Sequence, residues 1–189
     1  MKKIIKTPKD MPIMLDTRPM DKEWKNNITS RYWAINYTGS LEKDALVPAV
    51  EDEEWREKQY QRFMKSLEIR DLLLTFGGQE ACVQPDEDDE DILTRGQFFY
   101  GKNARMMKGQ PSRCHSNSCR LWEANEDNPN CHIATGYALT EDGMWRQHSW
   151  VVVERPRSYQ IYETTVKRIA YFGFIMNRQE CEDFCKDNY

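Results

Sequence analysis

Six cysteines and three histidines are the residues of this 189-residue chain best suited to chemistry. The thiols are Cys82, Cys114, Cys119, Cys131, Cys181 and Cys185, and the imidazoles are His115, His132 and His148. A thiolate attacks a carbonyl carbon once a neighbouring base or a positive field has lowered the thiol pKa. The same residue types, paired two to four residues apart, hold zinc. Two histidines directly follow cysteines, as Cys114-His115 and Cys131-His132, so spacing has to decide between the two chemistries. An even cysteine count would suggest disulfides in a secreted chain. The N-terminal stretch carries lysines but no apolar run of signal-peptide length, so reduced thiols and a cytoplasmic protein are expected.

Spacing singles out one thiol. Cys114 stands just before a helical segment expected over 115–125, with Ser116 or Asn117 able to cap it. A thiol there faces unpaired backbone N–H groups and the positive end of the helix dipole, which favour the thiolate. Cys119, inside the helix, gains less. His148 opens a strand, in His148-Ser149-Trp150, and Glu163 follows 15 residues later. A turn at 155–158 sets residue 148 opposite about 165 and residue 150 opposite about 163. His148 and Glu163 are then diagonal neighbours on one sheet face. A carboxylate there can hold one ring nitrogen and leave the other for a thiol. The expected roles are Cys114 as nucleophile, His148 as general base and then acid, and Glu163 as orienting carboxylate.

The order of these residues resembles the transglutaminase-like (papain-like) superfamily of Cys–His–Asp enzymes. That family places Cys at a helix start, a Gly-aromatic pair in the next strand, a His-Ala-Trp-like motif, then an acid followed by Pro-Thr. Here the corresponding residues are Cys114, Gly136-Tyr137, His148-Ser149-Trp150 and Glu163-Thr164-Thr165. The likeness covers about residues 110–166. Glu163 stands where the family has Asp, which lengthens the reach to the imidazole, and Thr164 stands where it has Pro. The resemblance implies acyl transfer from a glutamine side chain or another amide through a thioester. Water as acceptor gives hydrolysis or deamidation; an amine gives cross-linking.

An oxyanion donor is expected from the Cys114 backbone N–H, with Gln110, the nearest amide upstream, as the side-chain candidate over Asn103 and Gln97. Tyr137 and Trp150 are candidate walls of a substrate pocket. No cofactor is implied, and the expected partner is a protein or peptide substrate. The zinc alternative uses Cys114, His115, Cys119, Cys131 and His132. It is weakened because adjacent strand residues point to opposite faces, so Cys131 and His132 cannot easily share an ion. His115 and His132 are therefore expected at the surface or in the substrate cleft. A non-catalytic interaction domain of the same fold is the other alternative.

Charge and motif content argue against nucleic acid as a ligand class. The chain carries 27 basic and 31 acidic residues, a net charge of −4, and no nucleic-acid motif. Lys102, Arg105, Lys108 and Arg113 make a local basic stretch upstream of Cys114, suited to a carboxylate-bearing substrate. The acidic run 85–91 lacks the glycine-punctuated spacing of a calcium loop and reads as a solvated loop. No apolar run is long enough to span a membrane.

The elements that must position these residues follow from periodicity. A strand is expected over 31–38, after an extended arm within 1–28. The best helix runs over 51–76, with acidic residues at its start, Gly77-Gly78 at its stop, and Trp55, Phe63, Leu67 and Leu74 on one face. Gln97–Tyr100 is a short strand or helix start. Strands are expected at Cys131–Leu139, 145–154, 159–166 and 170–176, with turns at 141–143 and 155–158, then a closing helix over 177–189. The expected class is α+β: an antiparallel sheet packed against the Cys-bearing helix. Residues 1–91 would form an N-terminal helical or extended elaboration and 92–189 the core, with the acidic run as seam and one compact domain overall.

Overall fold

The computed structural model describes residues 53–188. The strand expected over 31–38 and the arm within 1–28 lie outside the described residues. The fold is α+β, and the described residues form four α-helices and a curled seven-stranded sheet.

The elements in chain order are α1 (Glu53–Thr75), β1 (Glu80–Cys82), α2 (Asp89–Arg95), β2 (Gln97–Tyr100), a 3-10 turn (Gly101–Asn103) and β3 (Arg105–Met106). Then come α3 (Cys114–Glu123), β4 (Cys131–Leu139), β5 (Met144–Arg155), β6 (Ser158–Glu163), β7 (Ala170–Ile175) and α4 (Arg178–Asp187). The sheet order is β2-β7-β4-β5-β6-β3, with β1 added beside β5. The sheet is not wholly antiparallel: β1 pairs with β5, and β3 with β6, in parallel. These short strands reach the sheet from distant parts of the chain rather than through hairpins, so no tight turn forces them antiparallel.

The two ends of this strand path belong to one stretch of chain, 97–106. Its first half pairs with β7 and its last two residues pair with β6. The Gln160 side-chain amide donates to the Asn103 carbonyl at 2.8 Å, and the Phe99 and Tyr159 rings lie 5.7 Å apart between their centres. The sheet therefore curls until a single segment bridges its edges. Its concave face buries Phe99, Ala134, Ala138, Trp150, Val152, Ile161 and Tyr171. The convex face carries Ile133, Tyr137, Leu139, Trp145, Val151 and Phe172, covered by Ile69, Leu73 and Phe76, by Cys119 and Trp122 of α3, and by Cys181 and Cys185 of α4.

Three expectations about elements are corrected. The buried stripe of α1 is Phe63, Ser66, Ile69 and Leu73, while Trp55 is exposed, because only the C-terminal half of the helix reaches the sheet. The acidic run is not simply a solvated loop: α2 begins inside it at Asp89, which is buried, and α1 and β1 share the main core with β4, β5 and β7. Helix α3 begins at Cys114 itself, with Arg113 in the capping position and no side-chain cap. Ser116 and Asn117 lie within its first turn and spend their side chains on Asn188 and Gln110 instead.

Curling requires close backbone approach where β4 and β7 cross the site. Gly136 is paired with His148 on one side and with Gly173 on the other. It has φ +151°, and a Cβ there would fall 2.4 Å from the Phe172 carbonyl oxygen and 2.6 Å from Gly173 Cα. Backbone atoms cannot move aside as a flexible side chain would. Gly136→Ala is therefore expected to destabilise the fold by about 2–3 kcal/mol. Urea denaturation would read this as a lowered midpoint at unchanged slope; an unchanged midpoint would contradict the tight crossing.

Candidate active site

The β5–β6 hairpin builds the centre of the site. Arg155 pairs with Ser158 across a two-residue turn, and Val151 pairs with Tyr162. Continuing this register sets 150 opposite 163, so His148, Trp150 and Glu163 share the concave face. His148 is 1% exposed and Glu163 0% exposed, so both ionisable groups lie out of water. His148 Nε2 and Glu163 Oε2 are 2.8 Å apart. This contact leaves Nδ1 as the ring nitrogen available to a thiol.

The carboxylate is bonded on both oxygens. Oε2 also accepts from the Tyr171 hydroxyl at 3.0 Å. Oε1 accepts from the Thr165 backbone N–H and hydroxyl, both at 2.8 Å. The Arg168 guanidinium lies 3.9 Å from Oε2 and donates to the Thr165 hydroxyl at 3.2 Å. Burial pushes Glu163 up, but the His148 bond and charge and the Thr165 bonds outweigh it and hold the carboxyl at about 2. A buried carboxylate with this many donors stays ionised.

Cys114 is the first residue of α3 and is half-buried. The His115 and His148 rings stand near enough to its thiol for hydrogen bonding and charge to act on it. Burial raises its pKa, but these bonds and the positive charge of the two rings override burial and lower it to about 5. For His148, burial works against the charged ring, while the bonds to Cys114 and Glu163 raise its pKa above the ordinary value. The two shifts favour a thiolate beside an imidazolium. Burial raises the other five thiols, Cys82 to about 11 and Cys181 to about 12. All six cysteines are free.

Trp150 and Tyr137 do not line an open pocket. Trp150 is fully buried on the concave face, its ring 6.2 Å from His148 at 18° and 4.9 Å from Tyr171. It backs the imidazole and limits its tilt. Tyr137 is buried on the convex face, because it pairs with Gln147 rather than His148. Gln110 is exposed, and its backbone N–H and carbonyl are both bonded to the Asn117 side chain at 3.0 and 2.8 Å. Its own amide has no hydrogen bond among the described residues. The Asn117 clamp thus ties the 107–110 loop to the first turn of α3, and Met107 N–H fastens the same loop to the Glu163 carbonyl at 2.7 Å.

His115 and His132 are both half-buried, each with one ring nitrogen near a polar partner. His115 Nδ1 lies 2.8 Å from Ser149 Oγ, which lies 2.9 Å from Thr135 Oγ1. His132 Nδ1 lies 3.1 Å from the Met176 carbonyl. Sequence reasoning missed His115 as a second ring on the thiol, and missed Tyr171 and Asn117. Adjacency to Cys114 on a helix start was the available signal for His115; Tyr171 needed the β4–β7 register. Among the described residues, no three His, Cys, Asp or Glu side chains converge to hold a metal ion. No described helix is long and apolar enough to cross a membrane. Comparison with known proteins finds no matching family model, no matching curated protein and no matching solved structure.

The electrostatics lead to two expected outcomes. Alkylation of Cys114 by iodoacetamide, followed by mass spectrometry, should rise with pH through a midpoint near 5 and move toward 9.0 in His148→Ala; a wild-type midpoint near 9.0 would contradict the activated thiol. Glu163 has a depressed folded pKa, so its stabilising effect is complete above the ordinary value of 4.5 and is lost as pH falls toward 2. Denaturation midpoints across that window should fall less steeply for Glu163→Gln than for the wild type; parallel curves would contradict the assignment.

Proposed function

We propose that the protein is a cysteine-dependent amidohydrolase or acyltransferase, with Cys114 as nucleophile, His148 as general acid and base, and Glu163 as orienting carboxylate. The observation that carries this reading is the 2.8 Å His148–Glu163 contact, which leaves the other ring nitrogen for the Cys114 thiol whose pKa the same ring lowers. A nucleophile, a base and an orienter in sequence is the arrangement acyl transfer requires. The likeness to transglutaminase-like enzymes in residue order supports it, and we read the curled sheet with its Cys-bearing helix as a variant of that core. Free thiols in all six positions suit a reducing compartment such as the cytoplasm.

In this reading the Cys114 thiolate attacks the amide carbonyl carbon, forming the C–S bond and an oxyanion. The unpaired backbone N–H groups at the start of α3, Cys114 among them, are the donors nearest the developing charge. Gln110 is not needed for this role. The C–N bond then breaks as the His148 imidazolium gives its proton to the departing amine, leaving a thioester. Water or an amine next loses a proton to neutral His148 as it attacks the thioester carbon. The C–S bond breaks, releasing the acid or new amide and restoring thiolate and imidazolium. Glu163 stays ionised throughout, fixing the ring through Nε2 and stabilising its charged form.

The test is a thiol-directed activity probe on the full chain, followed by a screen of peptides and glutamine substrates. Cys114→Ala and His148→Ala should lower kcat/KM by about 10³-fold or more, and Glu163→Gln by about 10²-fold or more. Retained turnover in Cys114→Ala would overturn the proposal.

A further inference from the structure

An open cavity of about 450 Å³ adjoins the candidate site. Two walls come from the site's own elements. Asn117, Arg120 and Leu121 belong to α3, whose first residue is Cys114, and Thr164 directly follows Glu163. The third wall is the 107–110 loop, held to α3 by the Asn117 clamp. Helical periodicity sets residues 117, 121 and 124 on the side of α3 that carries Cys114.

The charge of this cavity runs against that of the chain. The two charged residues on its walls, Lys108 and Arg120, are both cations, and no carboxylate lines it among the described residues. Both are exposed, and neither forms an ion pair with a described residue. Other basic side chains of this chain, which has a net charge of −4, do pair with acids, as Arg62, Arg95, Arg146 and Arg178 do. Two cations facing one cavity, with no ion pair among the described residues, favour an anionic ligand group. Met107 and Leu121 add an apolar floor suited to a peptide rather than to a free ion.

We infer that this cavity is a specificity subsite for an acidic side chain of a peptide substrate, flanking the amide that Cys114 attacks. The inference rests on the proposed acyl-transfer reading. It also fixes a spacing. Arg120 lies six residues along α3 from Cys114, about 9 Å at the helical rise. An extended peptide covers that span in about two to three residues. The recognised carboxylate therefore belongs two to three residues from the reactive amide.

The test measures binding, so that it does not depend on turnover. Fluorescent glutamine-containing peptides, carrying Glu, Gln or Lys two and three residues from the central amide, are titrated against full-length Cys114→Ala protein by anisotropy. The Glu peptide should bind about fivefold tighter than the Gln peptide, with Lys weakest. Added salt should shrink the gap. Combining Lys108→Glu with Arg120→Glu should reverse the ranking. Equal binding of the three peptides, binding of none, or an unchanged ranking in the double variant would overturn the inference. Iodoacetamide labelling of the double variant with its thiol intact separates the two readings. Retained pH-dependent alkylation without charge preference removes the subsite and leaves the activated thiol; charge preference without activation does the reverse.

Discussion

A carboxylate with no solvent contact needs a partner at each oxygen, and Glu163 is where this fold meets that requirement. Four donor groups from three residues meet it: His148 on β5, Tyr171 on β7, and the backbone and hydroxyl of Thr165 just beyond β6. Removing water strengthens each of these interactions and makes any unpaired state costly. The carboxylate therefore selects one ring orientation of His148 and favours its charged form. Trp150 and Tyr171 pack on the same concave face and leave the ring little room to tilt.

The rest of the fold is arranged around keeping this group dry while leaving the sulfur half-accessible. The sheet curls because β2 and β3 are one segment bridging its edges, and because Gly136 and Gly173 let β4 and β7 approach closely. Helix α3 lies on the opposite, convex face and anchors through Cys119 and Trp122, whose indole N–H reaches the Cys131 carbonyl at 3.1 Å. Only the first turn of α3 reaches round toward the imidazole. The site thus joins two layers: the carboxylate and imidazole belong to the sheet, and the thiol belongs to the helix.

The pairing of His148 with Glu163 was legible in the sequence because a two-residue turn at Pro156-Arg157 fixes the whole β5–β6 register. The helix at Cys114 was legible to within a residue from its composition and its place after a loop. The other sheet face was harder to assign. Strand β4 is buried along nearly its whole length, so it has no alternation to show which way Tyr137 points. Leu139 pairs with Trp145 across 140–144, and a one-residue change in that connection would have put Tyr137 beside His148. Tyr171, Thr165 and His115 complete the site through tertiary contacts that no local pattern encodes. The acidic run misled for a related reason: charge suggests solvent, yet Asp89 caps inward by accepting the Asp86 N–H.

Everything proposed for this site depends on His148 being held between Glu163 and Cys114 as an imidazolium facing a thiolate. Nuclear magnetic resonance of the His148 ring against pH tests this most directly, in the full chain and in Cys114→Ser. The ring should titrate above 6.5 in the wild type and lower once the sulfur is replaced. A ring that loses its proton at or below 6.5, or that titrates identically in both proteins, would contradict it.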